Sequence, residues 1–415
     1  MNRLFPVIPR QQAFRAGLKK RRLWKMKIAL VTEWLDAWRG GAETSTQQFL
    51  HHLMDRGVDL HVFTRSRPSP TPGLSVHSIN GAAMSRTRKS VTFGHRVERR
   101  LREESFDIIH AITPCRGATI YQPRGGTVAE SIERNIALRR TQLSRRLKRC
   151  ANRFNFKQRY MLGLEREFFS ARSTMTVVAI SDYVKRQLQD HYALPDSRIC
   201  KIYNGVDCDE TPGETRAEHR RSIRTDFGIG DDDLLILSVA HNFRLKGIHR
   251  WMEAMAQILA GGTRNVHSIV IGRGESPAWI RLAQRLGVSG FVKFVGPSDR
   301  VRAFYHAADV LVHPTYYDPC SRVVLEGMVS GLPVITTRWD GSSEMIRDGE
   351  NGFLLDDPSD TQRLVRLVAE LQDRRLRRSV GAAAAEVSRR VSMARHADEI
   401  LALYERVADQ SGVAS

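Results

Sequence analysis

Residues 309–337 decide the fold and have the sequence DVLVHPTYYDPCSRVVLEGMVSGLPVITT. The apolar run Asp309–His313 predicts a strand, a loop with two prolines follows, and the pattern then predicts a helix and a second strand at Pro333–Thr337. Apolar strands without alternation suit a parallel sheet that is covered on both faces. The stretch therefore predicts one unit of an α/β domain.

The same strand and helix alternation occupies both halves of the chain. In the first half, residues 27–32, 58–63, 106–112 and 175–180 predict strands, and Glu43–Arg56 predicts a helix. In the second half, residues 234–239, 266–271 and 291–295 predict strands, with helices at 248–259 and 277–286. We therefore expect two doubly wound units, with ligand sites at the carboxyl ends of their strands.

The domain boundaries follow from this pattern. A chain of 415 residues exceeds what one hydrophobic core usually supports. A tight turn at Tyr203–Asp207 and the polar stretch Thr211–Arg224 predict an interdomain linker. We expect a basic extension at residues 1–25, an N-terminal domain at 26–209 and a C-terminal domain at 210–393. A terminal helix from Ala394 is expected to pack back across the domains.

Composition narrows the class of protein. Hydrophobic residues make up 41% of the chain, with glycine and proline dispersed, which disfavours collagen-like and disordered classes. The formal charge of +20 favours phosphate-bearing partners. The five cysteines form no CxxC pair, so neither a disulfide framework nor a zinc site is indicated and a reduced, cytoplasmic setting is expected. No apolar run is long enough to predict a spanning helix.

Two acids in the opening stretch are candidates for sugar binding. Asp318 and Glu326 flank a loop and the first turn of the predicted helix, whose amides near Ser321–Val323 would favour an anion. Carboxylates repel phosphates but accept hydrogen bonds from sugar and ribose hydroxyls. The alternative interpretation is a packing element in which both acids are incidental.

This stretch resembles the carboxylate-x7-carboxylate signature of family 4 retaining glycosyltransferases, with Asp318 where the family usually has Glu. The resemblance implies the GT-B fold, in which two Rossmann-like domains face each other across a cleft. It also implies that the first acid and the loop amides hold the donor sugar, while the second acid holds the ribose. The residues that inherit these roles are Asp318, Cys320, Ser321, Arg322, Val323 and Glu326.

Other segments match further elements of the same family. Arg244 and Lys246, in Asn242–Gly247, resemble the cations that clamp the donor diphosphate and stabilise the leaving nucleotide. Gly40 and Gly41, in Arg39–Glu43, resemble a glycine loop that approaches a phosphate, and Gly272, in Ile271–Glu275, resembles the glycine turn beside the base. Gly40 and Gly41 alone are as consistent with an ordinary helix start.

His110 is a possible contact of the donor sugar. It lies at the end of the predicted strand 106–112, but the histidine often found two positions later in the family is Ile112 here. A lone histidine at a strand end is more often structural. The resemblance implies neither a metal nor another cofactor, and a nucleotide-sugar serves as co-substrate.

The long segment between Tyr121 and Glu167 is similar to that of lipopolysaccharide core glucosyltransferases. It carries apolar residues and a series of cations without an acid among them: Arg139, Arg140, Arg145, Arg146, Lys148, Arg149, Arg153, Lys157 and Arg159. Such a segment predicts contact with an anionic membrane or, alternatively, a solvated basic helix. We expect a hexosyltransferase that moves a hexose, from a UDP-sugar or a similar nucleotide-sugar, to a lipid-linked or lipopolysaccharide-type glycan. It would lie at the cytoplasmic face of the inner membrane.

Two other functions remain open from the sequence. A nucleotide-sugar epimerase can share the two-domain plan, but it needs no acceptor. A nucleic-acid-binding protein would fit the net charge but would leave Asp318 and Glu326 unexplained. Because the basic stretches lack interleaved aromatic residues, no nucleic-acid partner is expected.

Overall fold

The computed structural model describes residues 26–36, 40–79, 86–139, 141–274 and 277–410, without the side chains of residues 86–91. The predicted extension at residues 1–25 lies outside these ranges, as do Arg39, Arg140 and Glu275. By its contacts the chain divides into two units. Among the described residues, unit 1 comprises those up to Glu130, Lys148–Gly205 and those from Met393, and unit 2 comprises Ser131–Leu147 and Val206–Ser392.

Unit 1 contains a seven-stranded sheet, whose neighbouring strands pair in parallel in the order β3-β2-β1-β4-β5-β6-β7. The strands are β1 (Lys27–Val31), β2 (Asp59–Thr64), β3 (Leu74–Ser78), β4 (Ile108–Ala111), β5 (Ile120–Tyr121), β6 (Thr176–Ala179) and β7 (Ile199–Lys201). The helices in this part of the chain are α1 (Gly41–Met54), α2 (Arg86–Leu101), α3 (Val128–Ala137), α4 (Gln142–Arg153), α5 (Phe156–Phe168) and α6 (Asp182–Tyr192). Three-residue β7 follows a short 3-10 helix at Asp196–Arg198.

Unit 2 contains a six-stranded parallel sheet in the order β10-β9-β8-β11-β12-β13. Its strands are β8 (Leu234–Val239), β9 (Val266–Ile271), β10 (Val292–Gly296), β11 (Val310–Val312), β12 (Val334–Thr337) and β13 (Phe353–Leu355). The helices are α7 (Gly213–Phe227), α8 (Ile248–Ala260), α9 (Pro277–Arg285), α10 (Val301–Ala307), α11 (Arg322–Val329), α12 (Thr361–Glu370), α13 (Arg374–Ala385) and α14 (Ser388–Val391), with a 3-10 helix at Gly341–Met345. The prediction of two parallel Rossmann-like units is therefore confirmed.

The last helix of the described chain, α15 (Met393–Gln410), belongs to unit 1. Its buried residues, among them Ile400 and Tyr404, join the same apolar core as Leu30 of β1 and Phe49 of α1. The Tyr404 hydroxyl lies 2.7 Å from Nδ1 of His110 at the end of β4. These contacts tie α15 to the sheet of unit 1.

The interpretation of Thr211–Arg224 as linker is wrong, because most of it forms α7. Its charged composition hid the two residues that α7 buries, Ile223 and Arg224. The Arg224 guanidinium donates to Asp309 at 2.6 Å and to the carbonyl of Gly230 at 2.7 Å. A buried arginine with such partners anchors a helix that apolar periodicity alone does not indicate.

Within the described residues, every helix is too short or too polar to cross a membrane.

Candidate active site

Asp318 lies on the loop that follows β11. Its N–H donates to the carbonyl of Trp339 at 2.9 Å, and its own carbonyl accepts from the N–H of Gly341 at 2.9 Å. The loop is thus paired with the segment after β12, which fixes the Asp318 backbone. In a parallel sheet both segments lie at the carboxyl ends of the strands, where ligand sites occur in this class of fold.

Ser321 caps α11. Its Oγ accepts from the N–H of Val324 at 3.4 Å, while its own N–H donates to Oδ1 of Asp340 at 3.0 Å. The Ser321 amide, which the sequence assigned to the ligand, is therefore held by a protein carboxylate. The amides of Arg322 and Val323 open the helix, where the helix dipole favours an anion.

Glu326 is on the first turns of α11. Its Oε1 accepts from the Arg322 guanidinium at 2.9 Å, and its Oε2 accepts from the Tyr305 hydroxyl at 3.0 Å. Burial and the Glu326 carboxylate raise the pKa of Tyr305 well above its ordinary value, so this hydroxyl stays protonated and remains a donor. Both contacts fix the carboxylate while leaving it accessible, since 29% of the side chain is exposed.

Lys246 reaches Asp318 from the loop between β8 and α8. Its Nζ donates to Oδ2 of Asp318 at 2.6 Å and to the carbonyl of Tyr317 at 3.0 Å. Gly247, at φ +69°, permits this approach, because a Cβ there would lie 2.0 Å from the carbonyl oxygen of Pro314. Arg244 on the same loop is exposed. The structure thus joins one predicted cation and the first predicted acid as a direct ion pair.

The surroundings of two neighbouring carboxyl groups, Asp318 and Asp340, shift their pKa values in opposite directions. Burial opposes ionisation of Asp318, but the charge of Lys246 and the hydrogen bond from His313 outweigh it and lower the pKa of Asp318. Burial and the negative charge of Asp318 raise the pKa of Asp340. Asp318 is consequently the acid that stays ionised beside a ligand.

Gly272 supports the same region from the loop after β9. Its φ of +124° is a backbone conformation that residues with a side chain rarely adopt, and a Cβ there would lie 1.8 Å from the carbonyl oxygen of Ala240. Its N–H donates to the carbonyl of Gly296 at 2.8 Å. Gly272 therefore joins the loop after β9 to the end of β10 by a hydrogen bond and packs closely against Ala240, which follows β8. Cys320, beside Ser321, is a buried cysteine that forms no disulfide bond.

Three of the sequence-predicted site residues belong to unit 1. Gly40 is the N-cap of α1 and Gly41 its first residue. His110 is fully buried against Tyr404, and burial, with the nearby charges of Arg124 and His396, lowers its pKa well below the ordinary value. A neutral, buried imidazole with a tyrosine partner fits the structural interpretation of His110.

Sequence reasoning missed Asp340 and His313. Asp340 is fully buried and accepts from Ser321, from the N–H of Ser342 at 2.9 Å and from the Thr336 hydroxyl at 2.9 Å. His313 places Nε2 3.4 Å from Oδ2 of Asp318. His313 directly follows β11 and Asp340 lies three residues after β12, and this position at the carboxyl ends of parallel strands was the available signal for them.

Two family models match the chain. The model described as "Glycosyltransferase Family 4" matches residues 39–210, and the model described as "Glycosyl transferases group 1" matches residues 219–387. Together they span both units and include most of the site residues described above.

Relatives and solved structures agree with these matches. The lipopolysaccharide glucosyltransferase WaaG of Escherichia coli is 25% identical over 327 residues, which cover 78% of this chain and 84% of WaaG. A D-inositol 3-phosphate glycosyltransferase of Nocardiopsis dassonvillei is 26% identical over 88% of this chain and 89% of its own. The crystal structure of WaaG superposes with a TM-score of 0.77 at 21% identity and covers 90% of this chain and 98% of WaaG. Anabaena Alr3699/HepE in complex with UDP-glucose gives a TM-score of 0.68 at 18% identity, over 92% and 100%.

The fold and the matched families define the protein as a glycosyltransferase with the GT-B fold. Within that class the chain belongs to glycosyltransferase family 4 and resembles the enzymes of lipopolysaccharide core synthesis.

Proposed function

We propose that this enzyme transfers a hexose from a UDP-sugar to a lipopolysaccharide-type or other lipid-linked glycan, with retention of the anomeric configuration. The observation that carries the proposal is the ion pair of Lys246 with Asp318, together with Glu326 on the second turn of α11 in the same unit. Lys246 supplies a cation for a diphosphate, and Asp318 and Glu326 supply two carboxylates for hydroxyls, all within one unit. The WaaG relative and the UDP-glucose complex of a structural neighbour support the choice of donor and acceptor.

In the proposed reaction, unit 2 (predicted as residues 210–393) binds the donor and the N-terminal domain (26–209) binds the acceptor. The bond between the anomeric carbon and the diphosphate oxygen breaks, and negative charge develops on the leaving diphosphate. Lys246 and Arg244 stabilise that charge, which makes their contribution largest in the transition state. The leaving phosphate then accepts the proton of the acceptor hydroxyl on the same face of the sugar, and the oxygen of that hydroxyl forms the new bond to the anomeric carbon. These cations supply the charge that a divalent metal would otherwise supply, so the reaction needs none.

We also propose that α4 docks the enzyme on an anionic membrane surface, at the cytoplasmic face. Leu143 and Leu147, one turn apart on α4, are 68% and 63% exposed, and the adjacent Phe154 and Phe156 are 87% and 66% exposed. The α4 helix buries none of its residues. Exposed apolar side chains that alternate with cations complement a surface of apolar chains and anionic headgroups.

The direct test is a transfer assay with the purified full chain. UDP-glucose and other UDP-hexoses are incubated with a truncated lipopolysaccharide, with D-inositol 3-phosphate, or without acceptor, and products are followed by mass spectrometry and proton NMR, which distinguishes epimeric UDP-hexoses of equal mass. We expect transfer to the lipopolysaccharide, undiminished by EDTA, with a product whose proton coupling constant at the anomeric carbon matches that of the donor. Transfer to D-inositol 3-phosphate and not to the lipopolysaccharide would show that the acceptor is that of the D-inositol 3-phosphate glycosyltransferases. Conversion of the UDP-hexose without acceptor would indicate an epimerase.

A further inference from the structure

A cluster of imidazole rings lies at the β3 edge of the sheet in unit 1, apart from every candidate donor residue. Phe63 of β2 pairs with His77 of β3, and His61 lies two residues before Phe63, so the three side chains share one face of the sheet. The His77 ring stacks on Phe63 at 4.4 Å between centroids and on His61 at 5.2 Å. Both histidines are thereby held in fixed orientations.

The ring nitrogens of the two histidines face each other. Nδ1 of His61 lies 2.9 Å from Nε2 of His77. Nε2 of His61 lies 3.3 Å from a carboxylate oxygen of Asp59, which favours a proton on Nε2 and a lone pair on Nδ1. At this distance one of the two ring nitrogens donates to the other, and a neutral imidazole can carry its single proton on either nitrogen. Two imidazole nitrogens able to present lone pairs to one point are a ligand arrangement.

Glu104, which follows α2, supplies a third ligand atom. One of its carboxylate oxygens and one ring nitrogen of each histidine all lie within 4.8 Å of one another. Lys27 is bound to Oε1 of Glu104, but a carboxylate has a second oxygen and can accept at both. The ring of Phe106 contacts His61 edge-on at 5.3 Å and Phe63 at 5.7 Å, and so adds an apolar wall.

We propose that His61, His77 and Glu104 form a zinc site in unit 1. Two imidazoles and a carboxylate are a zinc ligand set, and bond lengths of about 2.0 to 2.2 Å require ligand atoms about 3.3 Å apart. The observed spacing needs only small side-chain movements to reach this. Asp59 acts as the outer carboxylate that orients a ligating histidine, and water takes the fourth position. The metal joins the edge strand β3 to β2 and to the segment between α2 and β4.

Metal binding is measured on tag-free protein that has been treated with EDTA and dialysed. Zn²⁺ is titrated by calorimetry, and Co²⁺ is used as a spectroscopic probe because its visible absorption reports tetrahedral coordination. The variants are His61→Gln, His77→Gln and Glu104→Gln. The matched control is His95→Gln, which removes an exposed histidine beside Glu98 on α2.

We expect about one zinc ion per chain and a rise in Tm of a few degrees at saturating zinc. Affinity falls at least tenfold in His61→Gln and His77→Gln, falls less in Glu104→Gln, and is unchanged in His95→Gln. Magnesium has no effect on Tm. The proposal is overturned if the wild-type chain binds no zinc, or if the three ligand variants bind it as tightly as the wild-type chain does. Thermal melts of each variant without metal show whether it has folded. If a histidine variant does not fold, Glu104→Gln still tests the site, because Glu104 is on the surface.

Discussion

Nζ of Lys246 lies 2.6 Å from Oδ2 of Asp318, and both side chains are largely shielded from solvent. The sequence assigned the cation to the donor diphosphate and the acid to the donor sugar, and the structure shows that the two are direct partners. An ammonium group has three N–H bonds, two of which go to Asp318 and to the carbonyl of Tyr317. The third can bind a phosphate oxygen without breaking the ion pair.

Lys246→Ala is expected to weaken binding of UDP by about 1.5 to 3 kcal/mol, roughly ten- to a hundredfold, because a hydrogen bond to a charged group is lost. Titration calorimetry with UDP measures this effect. The control is Lys293→Ala, which removes an exposed lysine of β10. Lys246→Ala will also be less stable than the wild-type chain, since Asp318 loses the cation that balances its charge. Equal UDP affinity in Lys246→Ala and the wild-type chain would remove Lys246 from the donor site.

The ion pair also predicts how stability changes with pH. The folded pKa of Asp318 is below its ordinary value, so its ionisation stabilises the fold above the unfolded pKa of about 3.9. This contribution is lost as the pH falls through the folded pKa. The Tm of Asp318→Asn should therefore lie below that of the wild-type chain at pH 7, and the difference should shrink as the pH is lowered below about 4. A difference in Tm that stays constant from pH 7 to pH 3 would contradict this account of the pair.

Gly272→Ala is expected to destabilise the protein severely, because the added Cβ meets the Ala240 carbonyl at 1.8 Å. Gly287→Ala is the matched control: Gly287 also has a positive φ, of +70°, but a Cβ there has no atom within 4 Å. The control should lose about 1 to 2 kcal/mol, the usual cost of a left-handed backbone for a residue with a Cβ. Thermal melts decide the point, and similar Tm values for the two variants would show that the contact with Ala240 relaxes easily.

Membrane docking by α4 depends on its cations. Replacing Arg145, Arg146, Lys148 and Arg149 by Gln should weaken sedimentation with anionic liposomes, since each cation near such a surface contributes up to about 1 kcal/mol. Binding of the wild-type chain should fall with salt, and neutral liposomes should bind it weakly. Donor binding should be unchanged.

The control for this experiment changes the net charge equally at exposed positions of α9 and α13. It replaces Arg281, Arg285, Arg375 and Arg378 by Gln. If both quadruple variants lose binding equally, net charge rather than α4 attracts the membrane. If the α4 variant still pellets like the wild-type chain, residues 1–25 become the better candidate for the anchor.

The sequence predicted the parts of the fold that depend on local pattern. Apolar strands such as Leu234–Val239 were predicted to the residue, because parallel strands covered on both faces are continuously apolar. Helix α7 was missed because a buried arginine, Arg224, anchors it. Strand β3 was missed as well, since its residues at the sheet edge are only partly buried and carry little apolar signal.

The candidate site was likewise predicted only where local sequence pattern determines it. The family motif located Asp318 and Glu326, but contacts between segments distant in sequence could not be predicted from it. The hydrogen bond between Ser321 and Asp340 joins two loops that meet only because β11 and β12 are neighbours in the sheet. The hydrogen bond from Tyr305 of α10 to Glu326 likewise joins segments that are distant in sequence.

The most direct test of the donor site is the affinity of Glu326→Ala for the nucleotide-sugar that the wild-type chain binds best in a panel of UDP-hexoses, measured by titration calorimetry. Because the carboxylate is held by Arg322 and Tyr305 in a position to accept from a ribose hydroxyl, we predict an affinity lower by roughly ten- to a hundredfold. The exposed Glu350→Ala serves as control and should bind like the wild-type chain. An unchanged affinity in Glu326→Ala, or no binding of any nucleotide-sugar by the wild-type chain, would contradict the account.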